Sequence, residues 1–302
     1  MAKASFLILV VGPTAVGKTD LCINLAKKFD TEILSSDSRQ FYREMEIGTA
    51  KPTQKELKLV PHHFVNSLSI HEDYDVKMFE KDAITLLEQL FKEKKSVIMT
   101  GGSGLFADAV TKGLDDMPEV HKEVRQRVIF DYQEKGLSYL QREVEKLDPE
   151  YYEVVDQKNP QRLMRALEVC LGTGKPFSSF RKRKETIRPF QILKIGLDRD
   201  REEIYDRIDR RMDQMLESGL IEEAEQLFPF RHLNALQTVG YQELFGYLEG
   251  KYDKEEAIRL LKRNSRRYAK RQLTWFRKDS EIRWFHPDSV DAIYAYIESQ
   301  MA

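Results

Sequence analysis

A chain of 302 residues, 41% hydrophobic and 33% charged, can bury one large core with an appended unit, or two cores. Its 49 basic and 50 acidic side chains leave a formal charge of -1, which excludes capture of nucleic acid by a global field and leaves local basic patches as the electrostatic route. Two cysteines, Cys22 and Cys170, make neither a disulfide nor a metal framework, and no stretch is long enough to span a bilayer, a composition expected of a cytoplasmic protein.

The apolar run Phe6-Leu7-Ile8-Leu9-Val10-Val11 predicts a buried strand. Directly after it stands Gly12-Pro13-Thr14-Ala15-Val16-Gly17-Lys18-Thr19, a glycine, four spacers and Gly-Lys-Thr ahead of a helical pattern, which is the spacing of a phosphate-binding P-loop. Gly12 and Gly17 permit turns closed to residues with a β-carbon, so that successive amides face a polyphosphate. Lys18 adds a point charge, and the Thr19 hydroxyl can complete a magnesium shell. The helix that follows repeats Leu21, Leu25 and Phe29, and a short strand around Glu32-Ile33-Leu34 leads into Ser35-Ser36-Asp37-Ser38-Arg39-Gln40-Phe41-Tyr42. A β-α-β order puts that polar segment at the P-loop edge of the sheet. There Asp37 is a candidate magnesium contact or general base, with a helix cap or Asx-turn as the structural alternative. Residues 48–52 and 61–64 read as loops, and His62-His63 lacks a third ligand at metal spacing. A helix with Phe79, Ala83, Leu86, Leu87 and Leu90 on one face feeds the strand Ser96-Val97-Ile98-Met99-Thr100. No acid follows that strand where a nucleoside triphosphatase would place one. Gly101-Gly102-Ser103-Gly104 stands there instead, read as either close approach to a ligand or a tight strand-to-helix turn.

From 114 to 188 the strand signal stops. Helices are predicted over 118–135 and 137–147, and another opens at Asn159-Pro160, carrying Arg162 and Arg165 on one face. The pattern predicts an α/β protein with a P-loop NTPase-like parallel sheet flanked by helices, its catalytic core formed by 1–113 and 189–302 and interrupted by an all-helical subdomain at 114–188. The basic run at 181–184 is a loop that can touch a phosphate backbone or simply be solvated. After a strand over 191–197, a helix bears Arg207, Arg210 and Arg211, any of which can reach back to a phosphate. Between 253 and 278 a long helix puts Leu261, Ser265, Tyr268, Gln272 and Trp275 on one face. Lys262, Arg263, Arg266, Arg267, Lys270, Arg271, Arg277 and Lys278 gather opposite, with no acid among them, the pattern of a nucleic-acid backbone footprint. A short strand at 282–285 and a small helix close the chain.

The ordered motifs GPTAVGKT at 12–19, DSRQFY at 37–42, GTAKP at 48–52, HHF at 62–64, GGSGLF at 101–106, QRLMRALEV at 161–169, VGY at 239–241 and KRQLTWFR at 270–277 together resemble the tRNA dimethylallyltransferase (tRNA isopentenyltransferase) family over nearly the full length. The chain departs from the family pattern at Ser103 and Phe106, where Thr and Tyr are commoner, and at Lys158-Asn159, where Asn-Asp is common. The resemblance implies transfer of a dimethylallyl group from dimethylallyl diphosphate to N6 of the adenosine 3′-adjacent to the anticodon of tRNA, with Mg2+.

By the same resemblance Gly12, Pro13, Thr14, Ala15, Val16, Gly17, Lys18 and Thr19 hold the diphosphate, Thr19 its magnesium, and Arg207 the leaving group, while Asp37 takes the adenine proton. It implies tRNA contacts from Asp37, Ser38, Arg39, Gln40, Ser103, Gln161, Arg162, Leu163, Met164 and Arg165, with Arg266, Lys270, Arg271 and Arg277 on the anticodon stem. The expected partners are tRNA, through its anticodon stem-loop, and dimethylallyl diphosphate, with no membrane and no obligate protein partner. A P-loop nucleoside or metabolite kinase and a non-catalytic RNA-binding ATPase are the alternatives; neither needs both the basic helix and an acid-free strand end.

Overall fold

The computed structural model describes residues 4–182 and 186–302. Of the basic run at 181–184, Arg183 and Lys184 lie outside the described residues. The chain forms two compact units, one of Met1–Lys112 with Ile187–Ala302, the other of Gly113–Thr186.

The first unit is built on six parallel strands, β1 (Phe6–Val11), β2 (Ile33–Ser35), β3 (His62–His63), β4 (Ser96–Gly101), β5 (Gln191–Leu197) and β6 (Arg283–Phe285), in the order β3-β2-β4-β1-β5-β6. Its helices are α1 (Lys18–Lys28), α2 (Gln54–Leu57), α3 (Val76–Leu90) and α4 (Gly104–Lys112). The helical unit interposes α5 (Lys122–Lys135), α6 (Leu137–Leu147), α7 (Pro149–Val154) and α8 (Pro160–Thr173). The first unit then resumes with α9 (Arg201–Glu217), α10 (Leu220–Leu227), α11 (Tyr241–Leu248), α12 (Lys254–Phe276) and α13 (Val290–Met301).

β1 is apolar throughout because both of its faces are covered. Leu7, Leu9 and Val11 point into a cluster with Phe79, Ala83, Ile204, Ile208 and Leu261, whereas Phe6, Ile8 and Val10 pack with Leu21, Leu25, Ile293 and Ile297. The parallel register, with Val11 opposite both Gly101 and Gly196, brings the ends of β1, β4 and β5 to one edge of the sheet.

His62-His63 forms an edge strand on β2 and not the loop expected, since two residues are too few to carry a periodic signal. His63 Nε2 sits 2.6 Å from Glu32 Oε2, and His62 Nδ1 2.8 Å from the Val60 carbonyl, so the pair is engaged in the fold. Arg188, which pattern alone put in the helical block, is fastened in the first unit: Nε donates to the Val110 carbonyl at 2.9 Å, and Nη2 to that of Ala109 at 2.7 Å and to Glu80 at 2.5 Å.

The second unit packs α5 to α8 around Val128, Leu140, Val144, Tyr151, Leu163 and Leu167. Asp148, almost fully buried, caps α7 by accepting from the Tyr151 amide at 3.0 Å, and also accepts from the Ser178 amide and hydroxyl. Its first helix starts at Lys122, four residues later than expected; Val120 ahead of it packs against Gly172 instead.

Candidate functional site

The P-loop leaves β1 through Gly12 at φ +154°, where a β-carbon would stand 2.7 Å from the Leu197 carbonyl, and enters α1 through Gly17 at φ +111°. It borders a pocket of about 690 Å³ lined by the residues from Thr14 to Thr19 together with Asp37, Thr100, Gly102, Arg207, Arg211 and Gln272, all in the first unit. Lys18 Nζ donates to the carbonyls of Gly12 at 2.9 Å and Pro13 at 2.7 Å. Desolvation lowers its pKa to about 8; Arg211 pushes in the same direction and Asp37 opposes. Cys22 beneath the loop is pushed up to about 12 by burial and stays an inert thiol.

Sequence left three arginines of α9 equivalent, and the fold separates them. Arg207 Nε donates to the Ala15 carbonyl at 2.7 Å, and Arg211 one turn on reaches Thr14 Oγ1 and the Ala50 carbonyl, each at 3.3 Å. Arg210 Nε turns to the Asp206 carbonyl of its own helix. Arg199 also donates to the loop, at Val16, but is paired with Glu203 and Asp288 at 2.6 Å each. Arg207 and Arg211 therefore bring net positive charge to the loop, where the N-terminus of α1 adds its dipole.

Asp37 Oδ1 accepts from the Arg39 amide at 3.0 Å, so the Asx-turn is realised at one oxygen while the residue still lines the pocket. Ser38 is held by Ser103, whose hydroxyl accepts from the Ser38 amide at 3.1 Å and lies 3.1 Å from its hydroxyl. Arg39 Nη1 donates to the carbonyls of Asn234 and Ala235, and Gln40 Nε2 to those of Thr49 and Ala50, so both side chains brace neighbouring loops. Phe106 packs against Phe41 and Phe79 with ring centroids 5.7 and 5.3 Å away.

Gly101 at the end of β4 and Gly102 and Gly104 after it make room for protein side chains, the tight strand-to-helix turn of the sequence reading, while Gly101 and Gly102 also line the pocket. A β-carbon on Gly101 would strike Ser36, one on Gly102 Gln272 Nε2, and one on Gly104 the Trp275 ring. Gln272, 5% exposed, accepts from the Thr14 amide at 2.9 Å and donates to the Gly102 carbonyl at 3.0 Å, tying the P-loop to this turn. Its signal was available: an amide on the otherwise buried face of a long helix. Glu223 gave no such signal. From α10 it accepts from the amides of Glu46, Ile47 and Gly48 at 3.0, 2.7 and 2.9 Å and from the Tyr241 hydroxyl at 2.6 Å, fixing the loop that carries Thr49 and Ala50.

The face of α12 is acid-free along its own helix only. Lys262 pairs with Asp213 at 2.6 Å, Arg266 with both oxygens of Asp209 at 2.5 and 2.6 Å, and Arg277 with Asp198 at 2.5 Å. Arg267, Lys270, Arg271 and Lys278 are exposed beside them. In the helical unit Gln161, Arg162 and Arg165 are exposed, Arg165 lying 3.4 Å from Glu168. Leu163 and Met164 do not share that surface: at 0 and 7% exposure they belong to the unit's core, as the three- and four-residue spacing of Leu163 to Ala166 and Leu167 and the three-residue spacing of Met164 to Leu167 require.

Among the described residues no group of three or more His, Cys, Asp or Glu side chains can hold a metal ion, and no helix is long and apolar enough to cross a membrane. A P-loop α/β protein is defined by these parts, its loop touched by Arg207 and Arg211 and sharing one pocket with Asp37. Residues 40–279 match the family described as IPP transferase. The chain is 53% identical over 299 residues to a tRNA dimethylallyltransferase of Christiangramia forsetii, with 99% of each chain covered. It is 51% identical over 294 residues to tRNA dimethylallyltransferase 1 of Bacteroides thetaiotaomicron, covering 97% of this chain and 96% of that one. Among solved structures it is similar to the tRNA isopentenylpyrophosphate transferase of Bacillus halodurans, with TM-score 0.74, 36% identity and coverage of 98% and 97%. A eukaryotic dimethylallyltransferase acting on tRNA superposes with TM-score 0.80 at 26% identity, covering 97% of this chain and 78% of that one. The chain belongs to the tRNA dimethylallyltransferase family of IPP transferases.

Proposed function

We propose that this chain transfers the dimethylallyl group of dimethylallyl diphosphate to N6 of the adenosine 3′-adjacent to the anticodon in tRNA, releasing diphosphate, in the cytoplasm. The observation that carries the site chemistry is one pocket lined by the P-loop, Arg207, Arg211 and Asp37. In the reaction the N6 lone pair forms the N–C1 bond while the C1–O bond breaks, and its electron pair leaves on the diphosphate. Loop amides, Lys18, Arg207 and Arg211 stabilise the charge that grows on that leaving group. Asp37 accepts the proton that N6 loses on bonding to carbon, so atoms and charge balance.

The donor set fits a magnesium ion that borrows most of its shell from the substrate. Thr19 lines the pocket, and its hydroxyl oxygen is a hard ligand of the kind magnesium takes beside diphosphate oxygens. Bound there with Thr19, magnesium would add charge neutralisation at the leaving group. The adenine must leave its stack to reach Asp37, past Ser38, Arg39, Gln40 and Ser103 of the first unit; in the helical unit, by itself, Gln161, Arg162 and Arg165 are exposed and serve as tRNA contacts. Arg266, Lys270, Arg271 and Arg277 serve the anticodon stem.

The test is incubation of the purified protein with magnesium, labelled dimethylallyl diphosphate and unmodified tRNA. Label in the RNA at the adenosine next to the anticodon is expected. No label, with turnover of ATP onto a small acceptor, overturns the reading in favour of a kinase.

A further inference from the structure

Three successive amides beside the pocket converge on a carboxylate of α10. After β2 the chain turns over residues 46–50, with the Ala50 amide donating to the Ile47 carbonyl at 2.9 Å and the Thr49 hydroxyl to that of Met45 at 2.6 Å. Gly48, Thr49 and Ala50 line the pocket. Glu223 Oε2 accepts from the Glu46 and Ile47 amides, and Oε1 from the Gly48 amide and the Tyr241 hydroxyl, so four donors share two oxygens. Only a carboxylate accepts from all four, because the amide of a glutamine would set its own N–H groups against two of them. A β-carbon on Gly48 would stand 2.6 Å from Tyr241 Cζ, so the fully buried Tyr241 ring packs against the same turn.

What the turn presents is the Ala50 carbonyl. It accepts from Arg211 Nη2 at 3.3 Å and from Gln40 Nε2 at 3.4 Å, while Arg211 Nη1 donates to Thr14 Oγ1 at 3.3 Å. The guanidinium is thus held between the P-loop and this turn by two neutral acceptors, which orient its plane without cancelling its charge. Arg199 shows the opposite arrangement, since Glu203 and Asp288 pair with it. Gln40 links the same carbonyl to the segment of Asp37: its amide donates to the Asp37 carbonyl at 3.2 Å, and its Oε1 accepts from Ser35 Oγ at 3.0 Å. Resting on the reading that the P-loop and Arg211 hold a diphosphate, we propose that Glu223 is a positioning residue, which holds the turn at 46–48, so places the Ala50 carbonyl, and through it orients Arg211 on the diphosphate. Both carboxylate oxygens are engaged by the turn and Tyr241, so Glu223 acts on the arginine through the backbone and leaves its charge for the ligand.

The experiment is a double-mutant cycle read by the Kd of inorganic diphosphate with magnesium. Glu223→Gln and Glu223→Asp are each made in the wild type, in Arg211→Ala and in Arg207→Ala; Arg207 Nε bonds the Ala15 carbonyl and not the turn. A dissociation constant is read on the folded fraction, so a loss of stability alone leaves it unchanged. Glu223→Gln should weaken binding about tenfold in the wild type and in Arg207→Ala, and by less than about twofold in Arg211→Ala, where the group it orients is gone. Glu223→Asp, whose carboxylate falls a methylene short, should lose less and follow the same order. Single-turnover transfer at saturating dimethylallyl diphosphate and tRNA should fall in the same two backgrounds and hold in the third. Losses within about twofold for both variants in the wild type overturn the proposal. So does a loss as large in Arg211→Ala as in Arg207→Ala, which is what a general loosening of the pocket would give. A wild type that binds no diphosphate overturns the parent reading, and one that binds it while the Glu223 variants match it overturns this proposal alone.

Discussion

Two glycine-rich turns sit side by side at the same edge of the sheet, at the ends of β1 and β4, border one pocket, and differ in what crowds them. In the first, Gly12 and Gly17 take positive φ, Gly12 is crowded by the backbone carbonyl of Leu197, and the residues from Thr14 to Thr19 line the pocket, with Arg207 and Arg211 bonded to the Ala15 carbonyl and the Thr14 hydroxyl. The second is filled by protein, with Ser36, Gln272 and Trp275 occupying the places that β-carbons would need at Gly101, Gly102 and Gly104. A glycine therefore reports that something comes close without reporting what. Gln272 joins the two turns, so the second acts as a splint for the first.

The largest expected effect concerns the pocket that both turns border. Replacing Asp37 by Ala should lower single-turnover transfer by about 10² to 10⁴ while tRNA binding persists, because the pocket loses its proton acceptor but no packing. An unchanged rate removes Asp37 as the base.

Next comes the filled turn. Gly102→Ala should destabilise the protein by about 1–3 kcal/mol in denaturant melts by displacing Gln272 from its two bonds. Combined with Gln272→Ala, the two losses should be clearly less than additive, since the collision is gone. Strict additivity would mean that Gly102 makes room for something else.

A third test uses the charge on Lys18. Its pKa of about 8 in the folded protein lies below the ordinary 10.5, so the buried ammonium costs stability below pH 8, and that cost fades as pH rises from 8 towards 10.5. Binding has the opposite sign, because the charge that attracts diphosphate is lost as pH rises through 8. The Kd of inorganic diphosphate, titrated from pH 7 to 9.5, should weaken above pH 8 with a slope approaching about tenfold per unit, and Lys18→Met should abolish the break. A flat wild-type profile refutes the shift.

The smallest effect concerns α12. Lys270→Gln should reduce the salt slope of tRNA binding by roughly 0.7–0.9, and Arg266→Gln by less, because Asp209 already neutralises Arg266. Equal slopes would mean that the Arg266–Asp209 pair opens on binding.

Much of the fold was legible because its signals are local. An unbroken apolar run made β1, a glycine spacing made the P-loop, and Leu261, Ser265 and Gln272, three members of one helical stripe, are buried on α12. The lining of the candidate site was legible where short motifs supply it, at Lys18, Thr19 and Asp37. It was illegible where partners come from distant segments. Nothing near Lys262 or Arg266 announces Asp213 or Asp209, and nothing near Gly48 announces Glu223. Leu163 and Met164 stand in one motif with Gln161, Arg162 and Arg165, yet helical phase, not motif membership, sends them to the core.

The sequence by itself determined the P-loop, since its turns follow from eight consecutive residues and the strand before them. Only the tertiary structure decided which arginines reach that loop and which side chains fill the turn at the end of β4. Those outcomes depend on helix register and on residues up to 258 positions apart, as between Thr14 and Gln272, and no local rule of propensity or spacing encodes such a distance.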